Sequence, residues 1–129
     1  EVSPGWIIPL HHWVSKRNYV GAVAQLIHCS VDIGIGLAAL DDAVAWIGQG
    51  VRPVRESGVS RAADDPYILH TIGELSAQIH AAEALAESAA RKVDRASQAQ
   101  LSGQYSEEQT ERLLSDASVA VAEAKILSM

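Results

Sequence analysis

The stretch Asp65–Ala96, DPYILHTIGELSAQIHAAEALAESAARKVDRA, decides the fold. Asp65 can accept a hydrogen bond from a first-turn N–H. Pro66 suits the first helical position, where its fixed φ helps and its missing N–H is no loss. From there Ile68, Ile72, Leu75, Ile79, Ala82, Leu85, Ala89 and Val93 recur every three or four residues, which is one stripe along a helix. No two-residue alternation competes with it. The stripe's second half is mostly alanine, so a partner helix can approach closely.

After this helix a polar link is expected from Ser97 to Tyr105. Ser106-Glu107-Glu108-Gln109 is then a capping box, in which the serine bonds the third backbone N–H and the glutamine reaches back. Leu113, Ala117, Ala120, Ala124 and Leu127 form the next stripe. Upstream, Tyr19 to Gln49 reads as one long helix, with Leu26, Ile33, Leu37, Leu40, Val44 and Ile47 in phase. A second set, Ile27, Val31 and Ile35, lies on a neighbouring face. A helix apolar over so much of its girth belongs in the middle of a bundle. Gly34 and Gly36 weaken it locally. Tight helix packing explains them, with close approach of another backbone or a flat ligand as the alternative. Gly50 to Asp64 is a connector broken by Gly50, Pro53 and Gly58. The fold class expected is all-α: an up-down antiparallel bundle of about three helices.

Composition agrees. The chain has 129 residues and 13.7 kDa, one domain's worth, with 48% hydrophobic and 20% charged residues. Phe is absent, and an alanine-rich core suits helices better than sheets. A net charge of −6 and a pI near 5.2 argue against a nucleic-acid footprint. No uncharged apolar run reaches the roughly 20 residues of a membrane span. Cys29 stands alone, so no internal disulfide is expected, and a reducing cytoplasmic setting fits.

Residues 1–20 differ from the rest. They hold Trp6, Trp13, Tyr19, Pro4, Pro9, His11 and His12, with a basic pair at Lys16 and Arg17. Trp6-Ile7-Ile8-Pro9-Leu10 reads as one short strand; a lone strand is not stable by itself, so it either pairs with further sequence or lies on the surface as an arm. At the other end the third stripe is still periodic at Met129. Three long stripes normally want a fourth helix, so truncation is expected at both ends.

Few side chains suggest chemistry. His28 and Asp32, four apart on a helix, can meet. They form either a carboxylate-held base or, more simply, a polar pair inside the bundle or between subunits. His80, Glu83 and Glu87 share a face, but the order is His-x-x-Glu and occurs once, unlike the paired Glu-x-x-His of di-metal bundles. No metal site is expected, and His11-His12 has no partner motif. Cys29 is expected as a small buried hydrophobe. No catalytic residue is assigned. Arg52, Arg55 and Arg61 make the connector basic. Arg61 precedes a helix N-terminus, which attracts phosphate, although Asp64 and Asp65 already bring negative charge there. A salt bridge and a ligand contact both fit.

Four stretches in order carry a resemblance: GIGLAALDDA (34–43), SGVSRAADDPY (57–67), GELSAQIHAAEAL (73–85) and SDASVAVAEAKIL (115–127). Over roughly residues 19–128 the chain resembles the C-terminal helical domain of acyl-CoA dehydrogenase-like flavoproteins, nearest the dibenzothiophene monooxygenase and sulfur-acquisition branch. The resemblance implies a fragment of a flavin-dependent oxidoreductase with FMN or FAD. It implies a homotetramer and, in the monooxygenase branch, a separate flavin reductase. Residues 1–18 would be the exit from a preceding β-domain, and 19–129 an incomplete four-helix domain forming flavin wall and subunit contacts. Arg61 sits where the dehydrogenases place a flavin-phosphate arginine. Asp64-Asp65 replaces their Phe-Gly, which leaves FMN open. Leu26 occupies the place where some dehydrogenases carry a catalytic carboxylate. The competing expectations are an acyl-CoA dehydrogenase domain and a stand-alone helical module without catalysis. Self-association is expected through the third stripe, Leu113 to Leu127.

Overall fold

A computed structural model of the chain describes residues 3–7, 11 and 15–129. Among them three long α-helices carry the fold: α1 (Val20–Gly48), α2 (Pro66–Ser102) and α3 (Glu107–Ser128). Short 3-10 turns lie at Pro4–Trp6, Arg55–Ser57 and Ala62–Asp64. The expected strand at Trp6–Leu10 is therefore corrected at its start, where Trp6 ends a 3-10 turn. Its remainder, Ile8 to Leu10, lies outside the described residues, as do His12 and Trp13.

The bundle runs up-down-up. Gln100, near the end of α2, meets the start of α1: its Oε1 accepts from the Tyr19 N–H at 3.4 Å, and its Nε2 donates to the Arg17 carbonyl at 3.2 Å. Arg17 pairs with Glu111 near the start of α3 at 3.6 Å. Lys125 near the end of α3 donates to Gln25, and Leu127 reaches the groove beside Ile33 and Gly36. So α1 and α3 run parallel, and α2 runs against both.

Local chemistry sets the helix ends. The capping box forms as expected: Ser106 Oγ accepts from the Gln109 N–H at 3.2 Å, and Gln109 Oε1 accepts from the Ser106 N–H at 3.0 Å. The polar link is shorter than expected, because α2 continues through Ser97–Ser102. Ala96 and Ala99 stay buried on its inner face while Gln98 and Leu101 face out. Gly103, at φ +64, ends α2 in the left-handed region that glycine enters without penalty.

The core is a seam of small side chains. Ala82, Ala86, Ala89, Val93 and Ala96 of α2 meet Leu114, Ala117, Ala120, Val121 and Ala124 of α3, with Ala22, Cys29 and Ile33 of α1 laid across them. The third stripe is thus rotated from its expected phase. Leu114 rather than Leu113 points fully inward, and Leu127 is exposed. Ala117, Ala120 and Ala124 are already covered by the chain's own helices, so the self-association expected through them is corrected.

α1 is not the central helix expected. Cys29 and Ile33 are buried, whereas Ile27, Val31 and Ile35 on the opposite side are 59%, 54% and 63% exposed. By length and mean hydropathy this helix is apolar enough to cross a membrane, a test that the core helix of a soluble protein also passes. Neither glycine marks a close backbone approach. A Cβ on Gly34 would meet nothing within 4 Å, and one on Gly36 would meet Ile79 at an ordinary 3.6 Å.

Candidate functional site

The connector between α1 and α2 gathers the chain's candidate anion contacts. Gly50 (φ +87) and Gly58 (φ +71) give its two sharp reversals. Ser57 Oγ donates to the Val54 carbonyl at 2.7 Å, closing the first 3-10 turn. The second turn is held from inside, since Ala62 is buried against the helices. Asp65 is only 4% exposed, and its Oδ1 accepts from the Tyr67 N–H at 2.9 Å. Arg61 therefore stands between a rigid turn and a capped helix, on extended backbone at φ −132.

Its side chain faces solvent. Nε lies 3.8 Å from Asp64 Oδ2, and the side chain is 65% exposed. That separation exceeds a hydrogen bond, and an exposed pair of this kind contributes little. The guanidinium keeps its donors for an external acceptor. Arg52 and Arg55 are exposed on the same connector. The α2 N-terminus itself is less available, because the Asp65 carboxylate occupies it. An anion here would be held by arginine, not by first-turn N–H groups. Asp65→Ala removes the cap from a buried position. It is expected to lower stability by about 1–2 kcal/mol, read as a reduced urea midpoint with unchanged slope.

The other candidates do not assemble. His28 is exposed and Asp32 half-buried, and no ion pair within 4.0 Å joins them among the described residues. His80 contacts Ser76 Oγ at 3.4 Å, while Glu87 pairs with Arg91 at 3.5 Å. Among the described residues no three His, Cys, Asp or Glu side chains converge on a metal position. Cys29 is free and fully buried. Leu26 is half-buried and lines a shallow groove of about 330 Å³ between α1 and α2, with Ser30, Gly34 and Leu37 opposite Glu83 and Ala86.

The residues present fit one part of a flavin. Arg52, Arg55 and Arg61 are exposed on the connector, and a guanidinium is the type of group that suits a phosphate. The described grooves are open to solvent. The outer face of α1 was expected inside the bundle and is exposed. Its signal was the Ile27, Val31, Ile35 set, which sits opposite Cys29 and Ile33 on a helix.

A family model, "Acyl-CoA dehydrogenase, C-terminal domain", matches residues 26–127. A dibenzothiophene monooxygenase of Mycolicibacterium goodii is 37% identical over 76 residues, 59% of this chain and 18% of that protein. One from Rhodococcus erythropolis is 37% identical over 71 residues, 55% of this chain and 17% of that protein. The crystal structure of indole-bound TdsC from Paenibacillus sp. A11-2 aligns with a TM-score of 0.65 and 34% identity, covering 83% of this chain and 25% of that one. The matched part of the chain thus spans under a fifth of these curated relatives.

Proposed function

The chain belongs to the acyl-CoA dehydrogenase C-terminal domain family, and from that membership we propose that it is the helical-bundle part of a flavin-dependent monooxygenase. The observation that carries the reading is the structural match to indole-bound TdsC over 83% of the chain at 34% identity. The relatives' names point to a small aromatic substrate, of the sulfur-containing kind in the dibenzothiophene monooxygenases.

Bound reduced flavin, FMN or FAD, supplies the oxygen chemistry, and a separate reductase supplies the reduced flavin. The work of this chain is structural and electrostatic. Arg61 holds a flavin phosphate. The bundle forms a dry wall and joins subunits into a tetramer. Residues 1–18 lead out of a β-domain that precedes the bundle. Leu26 favours this reading over an acyl-CoA dehydrogenase. It stands where the family resemblance places a carboxylate in some dehydrogenases, and a leucine cannot take an α-proton.

Two assays test the reading together. The purified 129-residue chain, given FMN or FAD, a reductase and oxygen, is expected to turn over nothing. A complete polypeptide containing this bundle is expected to oxygenate dibenzothiophene or indole under the same conditions. Oxygenation by the bundle alone would overturn the structural role. Dehydrogenation of an acyl-CoA by the complete polypeptide, without oxygenation, would replace the monooxygenase reading.

A further inference from the structure

The three helices are not held equally. α2 and α3 bury side chains against each other along their length, from Ala82 to Ala99 and from Leu114 to Ala124. α1 buries only Ala22, Cys29 and Ile33, and none of its residues from Gly34 to Gly48 is buried. A segment that gives little apolar surface to the core is the one that opens at the lowest cost in free energy.

Polar contacts gather at the start of α1, where its burial is also concentrated. Gln100 of α2 uses both ends of its amide there. Its Oε1 accepts from the Tyr19 N–H at 3.4 Å, and its Nε2 donates to the Arg17 carbonyl at 3.2 Å. The Arg17 side chain reaches α3, where it lies 3.6 Å from Glu111 and donates to Ser115 Oγ at 3.4 Å. Arg17 and Gln100 thus tie the entry of α1 to both helices of the hairpin. Gln25, in the second turn of α1, accepts from Lys125. Beyond Gln25 no side-chain hydrogen bond or ion pair joins α1 to α2 or α3 among the described residues.

These bonds are all near water. The Arg17 and Glu111 side chains are 53% and 49% exposed, so each contact is weak alone. Several weak bonds at one end of a lightly buried helix act together and let go together. Once they are lost, three buried side chains hold α1 against a hairpin whose own seam remains closed.

We propose that α1 is a flap that swings off the α2–α3 hairpin as one unit, with Arg17 and Gln100 as the latch that keeps it closed. The groove between α1 and α2, lined by Leu26, Ser30 and Leu37, opens with the same movement. The inference goes beyond the function proposed above and does not depend on its flavin chemistry.

Cys29 reports the movement. It is the sole cysteine of the chain and lies fully buried on the inner face of α1, so the thiol reagent DTNB reaches it only when α1 is open. Labelling of the 129-residue chain is expected to quicken with urea along a shallower slope than unfolding followed by circular dichroism, because opening exposes only the surface under α1. Gln100→Ala removes both bonds to the entry of α1 and is expected to speed labelling about 5-fold. Glu111→Gln weakens only the Arg17 side of the latch and should speed it about 2-fold. Gln98→Ala, exposed on the same helix, should leave the rate unchanged. Leu114→Ala should lower the urea midpoint yet hardly change labelling, since Leu114 stays packed in the hairpin when α1 leaves. Rising salt should speed labelling of the parent chain and have less effect on Glu111→Gln. A labelling slope equal to that of unfolding, or labelling of Leu114→Ala that quickens in step with its lost stability, would overturn the flap. Unchanged labelling in both Gln100→Ala and Glu111→Gln would overturn the latch.

Discussion

Leu114→Ala is expected to lower the unfolding free energy by about 3 kcal/mol, within the range of roughly 2–5 kcal/mol for buried leucines. The reason lies in the make-up of the core. The residues at the α2–α3 seam are almost all alanine, which adds closeness but little volume per side chain. Leu114 and Cys29 are the largest side chains that are fully buried. Leu114 sits at the lower end of the hairpin, beside Ala99 and the Gly103 turn. Truncating it opens a cavity at the α2–α3 seam, where the core neighbours of α2 are mostly alanines that cannot reach into it. A domain of this size has only about 5–15 kcal/mol in hand. The loss should therefore appear as a large fall in urea midpoint at nearly constant slope. Leu113→Ala, one residue away and only half-buried, should cost clearly less. Equal losses at the two positions would show that the phase of α3 is not the one described.

That contrast also shows what was legible in the sequence. Helix starts were readable because they are local. Asp65 with Pro66, and Ser106 with Gln109, satisfy backbone N–H groups within three residues, so no distant partner is needed to recognise them. The end of α2 was not readable. Ser97, Gln98 and Gln100 look like a link, and only the inward alanines at 96 and 99 keep the helix packed. The phase of α3 was ambiguous for a related reason. Leu113 and Leu114 both stand at helical spacing from Ala117, and an alanine-rich helix has almost no apolar asymmetry to choose between them. Packing against α2 made the choice.

The same limit applied to α1. Two apolar faces back to back gave no local sign of which one turns inward. The inner one is the face with Cys29 and Ile33, and the outer one remains for another surface. Of the candidate site, the basic connector and the competing Asp64-Asp65 charges were both visible. Whether the Asp65 carboxylate caps α2 or repels an anion was a question of side-chain direction. Its hydrogen bond to the Tyr67 N–H answers it. Arg61 is left with a weak neighbour and open donors.

Arg61→Glu, placed in a complete flavin-binding polypeptide that contains this bundle, is expected to weaken flavin binding by about 100-fold. A charge-assisted hydrogen bond to phosphate contributes roughly 1.5–3 kcal/mol, and the reversed charge adds repulsion beside Asp64 and Asp65. Arg61→Lys should recover only part of the loss, because an ammonium cannot reproduce the two-pronged guanidinium contact. Asp64→Asn should act in the opposite direction and tighten binding slightly, since it removes the carboxylate 3.8 Å from the Arg61 Nε. None of these changes should unfold the bundle. The Arg61 side chain is exposed and its ion pair weak, while the turn is held by Ala62 and Asp65. Titrating flavin fluorescence against each variant reads the affinities directly, and circular dichroism checks the fold. Salt dependence adds a second reading: the unaltered protein should lose affinity as salt rises, and Arg61→Glu should flatten that slope. An Arg61→Glu protein with unchanged flavin affinity and unchanged salt slope would remove Arg61 from the site. The connector's arginines would then be a solvated surface and nothing more.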